Sequence, residues 1–254
     1  MEFINSLIGG KTVCVTCLGK SIEELEKRIE LFRNKDIVWV GLGQFDIVYF
    51  NILLKIKHNF TIIFDTATVI ERYCKDYEMN VRFPRIINFF KNSNNSLWIT
   101  SDGMIRDSIK PYMPELLAHY GQKIRIVDEL FPIDTRRDYM EVPNSLCLLL
   151  GVLLYGQAKQ IIIFGSDGYK GDPKLNLYSY YKPELVRQER MAALGQDWDE
   201  GINRDTVNFA EQTESKIKLY SKYFKHSCPI YNCSPSTYYT YPQRITYDEL
   251  ESIT

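Results

Sequence analysis

The sequence predicts an α/β protein built on a mostly parallel sheet covered by helices on both faces. Three observations carry this prediction. Short runs of β-branched and aromatic residues recur along the chain. They are apolar at consecutive positions, as strands buried on both faces must be, and stretches of helical period lie between them. At 254 residues the chain can bury a sizeable core, and 1–254 reads as a single Rossmann-like domain.

The elements follow in order. TVCVTC at 12–17 is a strand, and SIEELEKRIELF at 21–32 a helix, with Ser21 and Glu24 spaced as in an N-terminal capping box. DIVWVGL (36–42) and FTIIFDT (60–66) are strands, and VIERYCKDYE (69–78) has helical period. LWITSD (97–102) and IRIVDE (124–129) continue the sheet. NSLCLLLGVLLYG (144–156) is a buried helix leading into the strand QIIIF (160–164). TESKIKLYSKYFK (213–225) is helical before a last strand, PIYNC (229–233). Between the last two βα units, residues 170–204 are polar, rich in tyrosine and broken by Gly and Pro, which predicts a lid insertion holding one short helix after Pro183.

Composition excludes several classes. With 31 basic and 32 acidic residues the net charge is −1, so no global field draws the chain to nucleic acid or an anionic membrane. The most apolar stretch, LCLLLGVLLY at 146–155, is about half the roughly 20 residues a membrane helix needs. The N-terminus lacks the basic flank and cleavage site of a signal peptide, and the expected location is cytoplasmic. Six scattered cysteines suit reduced thiols, and Cys14 and Cys17, three apart on a strand, point to opposite faces rather than to one metal or redox site. The three histidines, His58, His119 and His226, form no recognisable metal site. No acidic pair of the usual divalent-cation kind follows a strand, since Asp167 and Asp172 lie five apart; no metal is expected.

In a parallel α/β sheet the ligand crevice lies at the carboxyl ends of the strands. That edge should carry Gly19 and Ser21, the turn containing Gly43, Asp65 and Thr66, Ser101 and Asp102, and the segment Gly165, Ser166, Asp167, Gly168, Tyr169. Asn144 and Ser145, at the start of the apolar helix, join it. Asn144 and Ser145 are ordinary cap types. Gly165 and Gly168 permit a tight turn, but Ser166, Asp167 and Tyr169 supply more hydrogen-bonding capacity than a turn requires.

GKTVCVTCLGKSIEEL, DIVWVGLGQF, PNSLCLLLGVLLYGQAKQIIIFGSDGY and CPIYNCSP together resemble a superfamily of bacterial lipooligosaccharide sialyltransferases, motility-accessory flagellin glycosyltransferases and archaeal 6-hydroxymethylpterin diphosphokinase-like proteins. The segment from Pro143 to Tyr169 carries the specific part of the likeness. The resemblance implies a nucleotide site at Gly19, Ser21, Ser145, Gly165, Ser166 and Asp167, with Gly43 or a neighbour at the place of a family asparagine that this sequence lacks; Asn144 joins the site by its position on the ligand edge. The family's asparagine in the first loop is replaced here by Leu18. It implies that Tyr169 and a lid tyrosine, Tyr178 or else Tyr180 or Tyr181, bond the departing phosphate. The place of the family's catalytic histidine falls on Glu200, with Asp199 beside it.

The expected function is thus a sialyltransferase-like glycosyltransferase that needs no cofactor. It would pass sugar from a nucleotide-sugar donor, CMP-linked, to a glycan or glycoprotein acceptor. Two alternatives stay open: an enzyme of the pterin diphosphokinase kind that uses Mg and ATP, and a nucleotide-binding protein of the same fold without catalysis.

Overall fold

The apolar runs assemble into one parallel sheet. The computed structural model describes residues 2–33, 35–43, 45–56, 60–64, 83–93, 95–130, 145–167, 213–234 and 241–252. Its strands are β1 (Thr12–Thr16), β2 (Ile37–Leu42), β3 (Phe60–Phe64), β4 (Ser96–Thr100), β5 (Ile124–Ile126), β6 (Gln160–Phe164), β7 (Ile230–Asn232) and β8 (Gln243–Arg244). They form an eight-stranded sheet in the order β5-β4-β3-β2-β1-β6-β7-β8, and every neighbouring pair is parallel. Strand order runs outward one way from β1 to β5 and the other way from β6 to β8. The reversal falls between β1 and β6, paired in register from Thr12↔Gln160 to Thr16↔Phe164.

The helices are α1 (Glu2–Ile8), α2 (Ile22–Arg28), α3 (Phe45–Asn51), α4 (Phe83–Asn92), α5 (Pro114–Tyr120), α6 (Val127–Leu130), α7 (Ser145–Tyr155), α8 (213–224) and α9 (Tyr247–Glu251). Between β4 and α5, the helical stretch from Asp102 to Tyr112 includes a π turn at Ile105–Ile109. Alternate strand residues sort the helices into two layers, as a two-residue period requires. Cys14, Trp39 and Ile162 face Ile22 and Leu25 of α2, Tyr49 of α3, Phe89 of α4 and Leu250 of α9. Val13, Val15, Ile161 and Ile163 face Ile4 and Ile8 of α1, all of the apolar stripe of α7, and Ile217 and Tyr220 of α8. Cys17 packs on this second side, opposite Cys14.

From Leu146 to Tyr155 every residue of α7 is buried, as expected of a helix apolar all round. A Cβ on Gly151 would stand 2.9 Å from Cε2 of Tyr220, so this glycine sets how closely α7 and α8 can pack. Among the described residues no helix is long and apolar enough to cross a membrane. On the other face an aromatic cluster ties strand to helix: Phe32 meets Trp39 edge-on at 5.4 Å and Phe164 at 5.6 Å. Phe164 in turn lies 5.9 Å from Tyr247, so the last residue of β6 anchors α9. Each such ring removed from water contributes about 1.5–3 kcal/mol.

Parallel sheet and two helical layers agree with expectation, while α1, α3, α4, α6, α9 and β8 are additions to it, and the run IRIVDE, expected as strand to Glu129, leaves the sheet after Ile126 and turns helical at Val127. The 69–78 helix and the 170–204 lid lie outside the described residues.

Candidate functional site

Reversal of strand order at β1 and β6 parts the loops that follow them, which is where open α/β sheets place their ligands. In this protein the two loops are instead bonded to each other. Backbone N–H groups of Cys17 and Gly19 donate to the carbonyls of Phe164 and Gly165, each at 2.8 Å. Next, the N–H of Ser21 donates to Oδ2 of Asp167 at 2.8 Å, and the Ser21 hydroxyl donates to Oδ1. A third loop, after β7, closes the cluster. Asn232 Nδ2 donates to the Ser166 carbonyl at 3.0 Å, and the Ser166 N–H donates to Ser234 Oγ, also at 3.0 Å. The Ser234 hydroxyl bonds Asp167 as well.

Local geometry explains the residue types. Gly165 has φ +71°, and a Cβ there would stand 2.7 Å from the Cys17 carbonyl oxygen. A Cβ on Gly19 would stand 2.4 Å from the Gly165 oxygen and 2.6 Å from Asp167 Oδ2. Both glycines therefore allow one loop to approach the other, which answers for them without a ligand.

Asp167 is 5 % exposed. Burial pushes its carboxyl above the ordinary value of 3.8, and the bonds from Ser21 and Ser234 pull it part of the way back. Its negative charge stands at the start of α2, where the helix dipole favours an anion. The expected capping box does not form: Ser21 has helical backbone angles (φ −63°, ψ −10°) and makes no cap bond to its own helix. The distant Asp167 takes the donor instead. A phosphate arriving at this loop competes with that carboxylate for the Ser21 N–H and hydroxyl.

Other expected residues are spread along the same edge. Gly43 follows β2 at φ +63°, donates its N–H to the Phe64 carbonyl at 3.0 Å, and has open space where a side chain would project. Ser145 is the first residue of α7. Ser101 caps the helical stretch after β4, its Oγ accepting from Met104 N at 3.1 Å. Asn144, Tyr169, Tyr178, Asp199 and Glu200 lie outside the described residues, as do Asp65, Thr66 and Gly168. The structure thus joins Gly19, Ser21, Gly165, Ser166 and Asp167 into one cluster. Sequence reasoning missed Asn232 and Ser234; the available signal was polar residues at the carboxyl end of PIYNC, on the edge where the others converge.

Among the described residues no group of three or more His, Cys, Asp and Glu is placed to hold a metal ion. His226 Nε2 lies 2.9 Å from the Ala158 carbonyl, and His119 stands in the last turn of α5.

No family model matches the chain, and neither does any curated protein sequence. Among solved structures, the sialyltransferase CstII from Campylobacter jejuni, in complex with the substrate analogue CMP-3FNeuAc, aligns with 89% of this chain and 81% of its own. The TM-score is 0.43 and the identity 11%. At that level of similarity nothing about residue roles or chemistry transfers.

Proposed function

We propose that the protein is a glycosyltransferase of the sialyltransferase-like kind, binding a nucleotide-activated sugar at the carboxyl edge between β1 and β6. The observation that carries the reading is the convergence of Gly19, Ser21, Gly165, Ser166 and Asp167 where the strand order reverses. These are among the residues that the sequence resemblance assigns to the nucleotide. Gly43 leaves open space on the β2 side of that crevice, and Ser145 begins α7 at the same edge. In this reading Asp167 positions the two loops and does not touch the reacting atoms. Tyr169 and a lid tyrosine stabilise the leaving phosphate, and Glu200 or Asp199 takes the proton of the acceptor hydroxyl. The donor is CMP-linked and bound without a metal, and the acceptor is a glycan or glycoprotein.

A thermal-shift screen of CMP, CDP, UDP, GDP and ATP, each with and without magnesium, tests it. A ligand at 100 times its dissociation constant adds about 2.7 kcal/mol of stability. Stabilisation by CMP regardless of magnesium is expected. Stabilisation by magnesium ATP alone identifies a diphosphokinase instead, and no response to any nucleotide overturns both readings.

A further inference from the structure

Because all the strands are parallel, the turns that lead into them lie together on the amino edge, opposite the nucleotide crevice. Seven of these turns, those into β1–β7, fall within residues 8–12, 29–37, 53–56, 91–96, 119–124, 156–160 and 222–230. Their described residues carry nine Lys or Arg against two acids, Glu30 and Asp36. The whole chain has 31 basic and 32 acidic residues, so the remainder is net acidic. A net charge of −1 thus conceals a one-sided distribution.

Neighbouring turns are bonded to each other, which fixes the lysines side by side. The Lys159 N–H donates to the Lys11 carbonyl at 2.9 Å, and the His226 ring bonds the Ala158 carbonyl at 2.9 Å. Lys11, Lys159 and Lys225 therefore stand on adjoining turns. Arg33 is matched by Glu30, and Lys55 by Glu26 at 2.9 Å. Among the described residues Lys11, Lys91, Lys159, Lys222 and Lys225 are in no ion pair. The helix dipole favours cations only in the last turn of a helix, and α1 and α7 have no basic residue there. Lys11 and Lys159 lie beyond those helix ends, so the dipole does not account for them. Like charges gathered in this way repel, and an anionic surface laid against them removes that cost.

Apolar side chains stand among the lysines. Leu54, 49% exposed, and Tyr223, 46% exposed, both belong to these turns. The third exposed large apolar side chain among the described residues, Phe3, meets the Arg125 guanidinium, which bonds the Gln122 carbonyl in the turn before β5. Cations and apolar groups side by side suit the boundary between lipid headgroups and acyl chains. Six strand spacings separate β5 from β7, so the edge is about 29 Å wide.

We propose that the amino edge docks on an anionic lipid bilayer, with its lysines against the headgroups and Leu54 and Tyr223 entering the interface. Nucleic acid fits the same charge less well. The five cations without an ion pair are all lysines, point charges that lack the planar fork with which arginine reads phosphates and bases, and the apolar side chains gain nothing from a phosphate backbone. The docking surface stands whether or not the transferase reading does, because the crevice lies on the opposite edge.

The test is sedimentation of the full chain with vesicles of phosphatidylcholine alone, or of phosphatidylcholine mixed with phosphatidylserine. Expected is binding to the mixed vesicles only, weakening as salt is raised. Lys159→Gln and Lys225→Gln should each weaken it about 5-fold, the equivalent of about 1 kcal/mol per lysine at an anionic surface. Lys20→Gln removes the same charge from the opposite edge and should leave binding unchanged. Leu54→Ser, at an exposed position, should weaken binding while the salt dependence stays as it was. No binding to the mixed vesicles, equal binding to phosphatidylcholine alone, pelleting without vesicles, or a loss in Lys20→Gln as large as in the other two lysine variants overturns the proposal. So does unchanged vesicle binding in Leu54→Ser together with binding of random-sequence RNA or duplex DNA that needs the same lysines, which assigns the edge to nucleic acid.

Discussion

Ser21 and Asp167 are 146 positions apart, and the carboxylate of one accepts both the backbone N–H and the hydroxyl of the other. Asp167→Asn keeps the shape and removes one acceptor oxygen along with the charge, so it should cost about 1–3 kcal/mol at neutral pH. The pH dependence follows from burial, which raises the folded carboxyl above 3.8. A group raised on folding contributes stability that is present below its unfolded value and lost as pH rises through its folded value. The stability gap between wild type and Asp167→Asn should therefore widen as pH falls from neutral toward 4, read by urea denaturation. A gap that narrows means that the bonds from Ser21 and Ser234 outweigh burial.

Gly165→Ala should destabilise more than Gly10→Ala. Both positions have positive φ, +71° and +68°, so each alanine pays about 1–2 kcal/mol of backbone strain. Only at 165 does the new methyl also meet backbone, the Cys17 oxygen at 2.7 Å, whereas nothing lies within 4 Å of it at 10. Denaturation midpoints of the two variants give the comparison, and equal losses would mean that the loops can part without cost.

Burial holds the thiols protonated. Cys17 is pushed up to about 12, with the Asp167 charge adding to burial; Cys147 and Cys228 are pushed to about 11, and Cys233 to about 12. At pH 8 the thiolate is about one part in a thousand at Cys147 and Cys228 and about one in ten thousand at Cys17 and Cys233, so alkylation by iodoacetamide should run about 100-fold slower than in urea at the first two and about 1000-fold slower at the others. Peptide-resolved mass spectrometry follows each site. Rapid labelling of Cys17 in the folded protein would show the β1 loop opening away from Asp167.

Under the transferase reading, Tyr169→Phe should lower turnover by about 10²–10³-fold while the melting temperature holds, since one donor to the leaving phosphate is lost. Glu200→Gln and Asp199→Asn, measured separately in single turnover, should leave donor binding intact, and one of them should abolish transfer. Normal transfer in both variants assigns the base elsewhere.

The sequence made the sheet readable because β1, β2, β4 and β6 are buried on both sides and carry unbroken apolar runs. β8 gave no such signal: Gln243 and Arg244 are both exposed, and their pairing rests on Tyr231 and Asn232 alone. Ser21 was misread for a physical reason. A Ser-x-x-Glu spacing reports only local bonds, and nothing near Ser21 announces that a carboxylate from another loop will claim its N–H. The same spacing at Thr246 and Glu249 does form the reciprocal box, with Thr246 N donating to Glu249 Oε2 at 2.7 Å. The candidate site was legible as an edge, since strand ends can be counted, but not as a bonded cluster, because bonds between the loops depend on register across the β1–β6 seam.

That seam also sets an order of events in synthesis. β1 and β6 are paired from Thr12↔Gln160, 148 residues apart. A ribosome adding about 5–20 residues per second makes β6 roughly 7–30 s after β1. Through that interval β1 has β2 on one side and a bare row of backbone donors and acceptors on the other, in a strand whose side chains are almost all destined for the interior. The most apolar helix, α7, is made just before β6 and has no completed sheet to lie on until β6 arrives. The nascent chain therefore carries its stickiest surfaces, an open strand edge and then a helix apolar all round, before the partner that covers both.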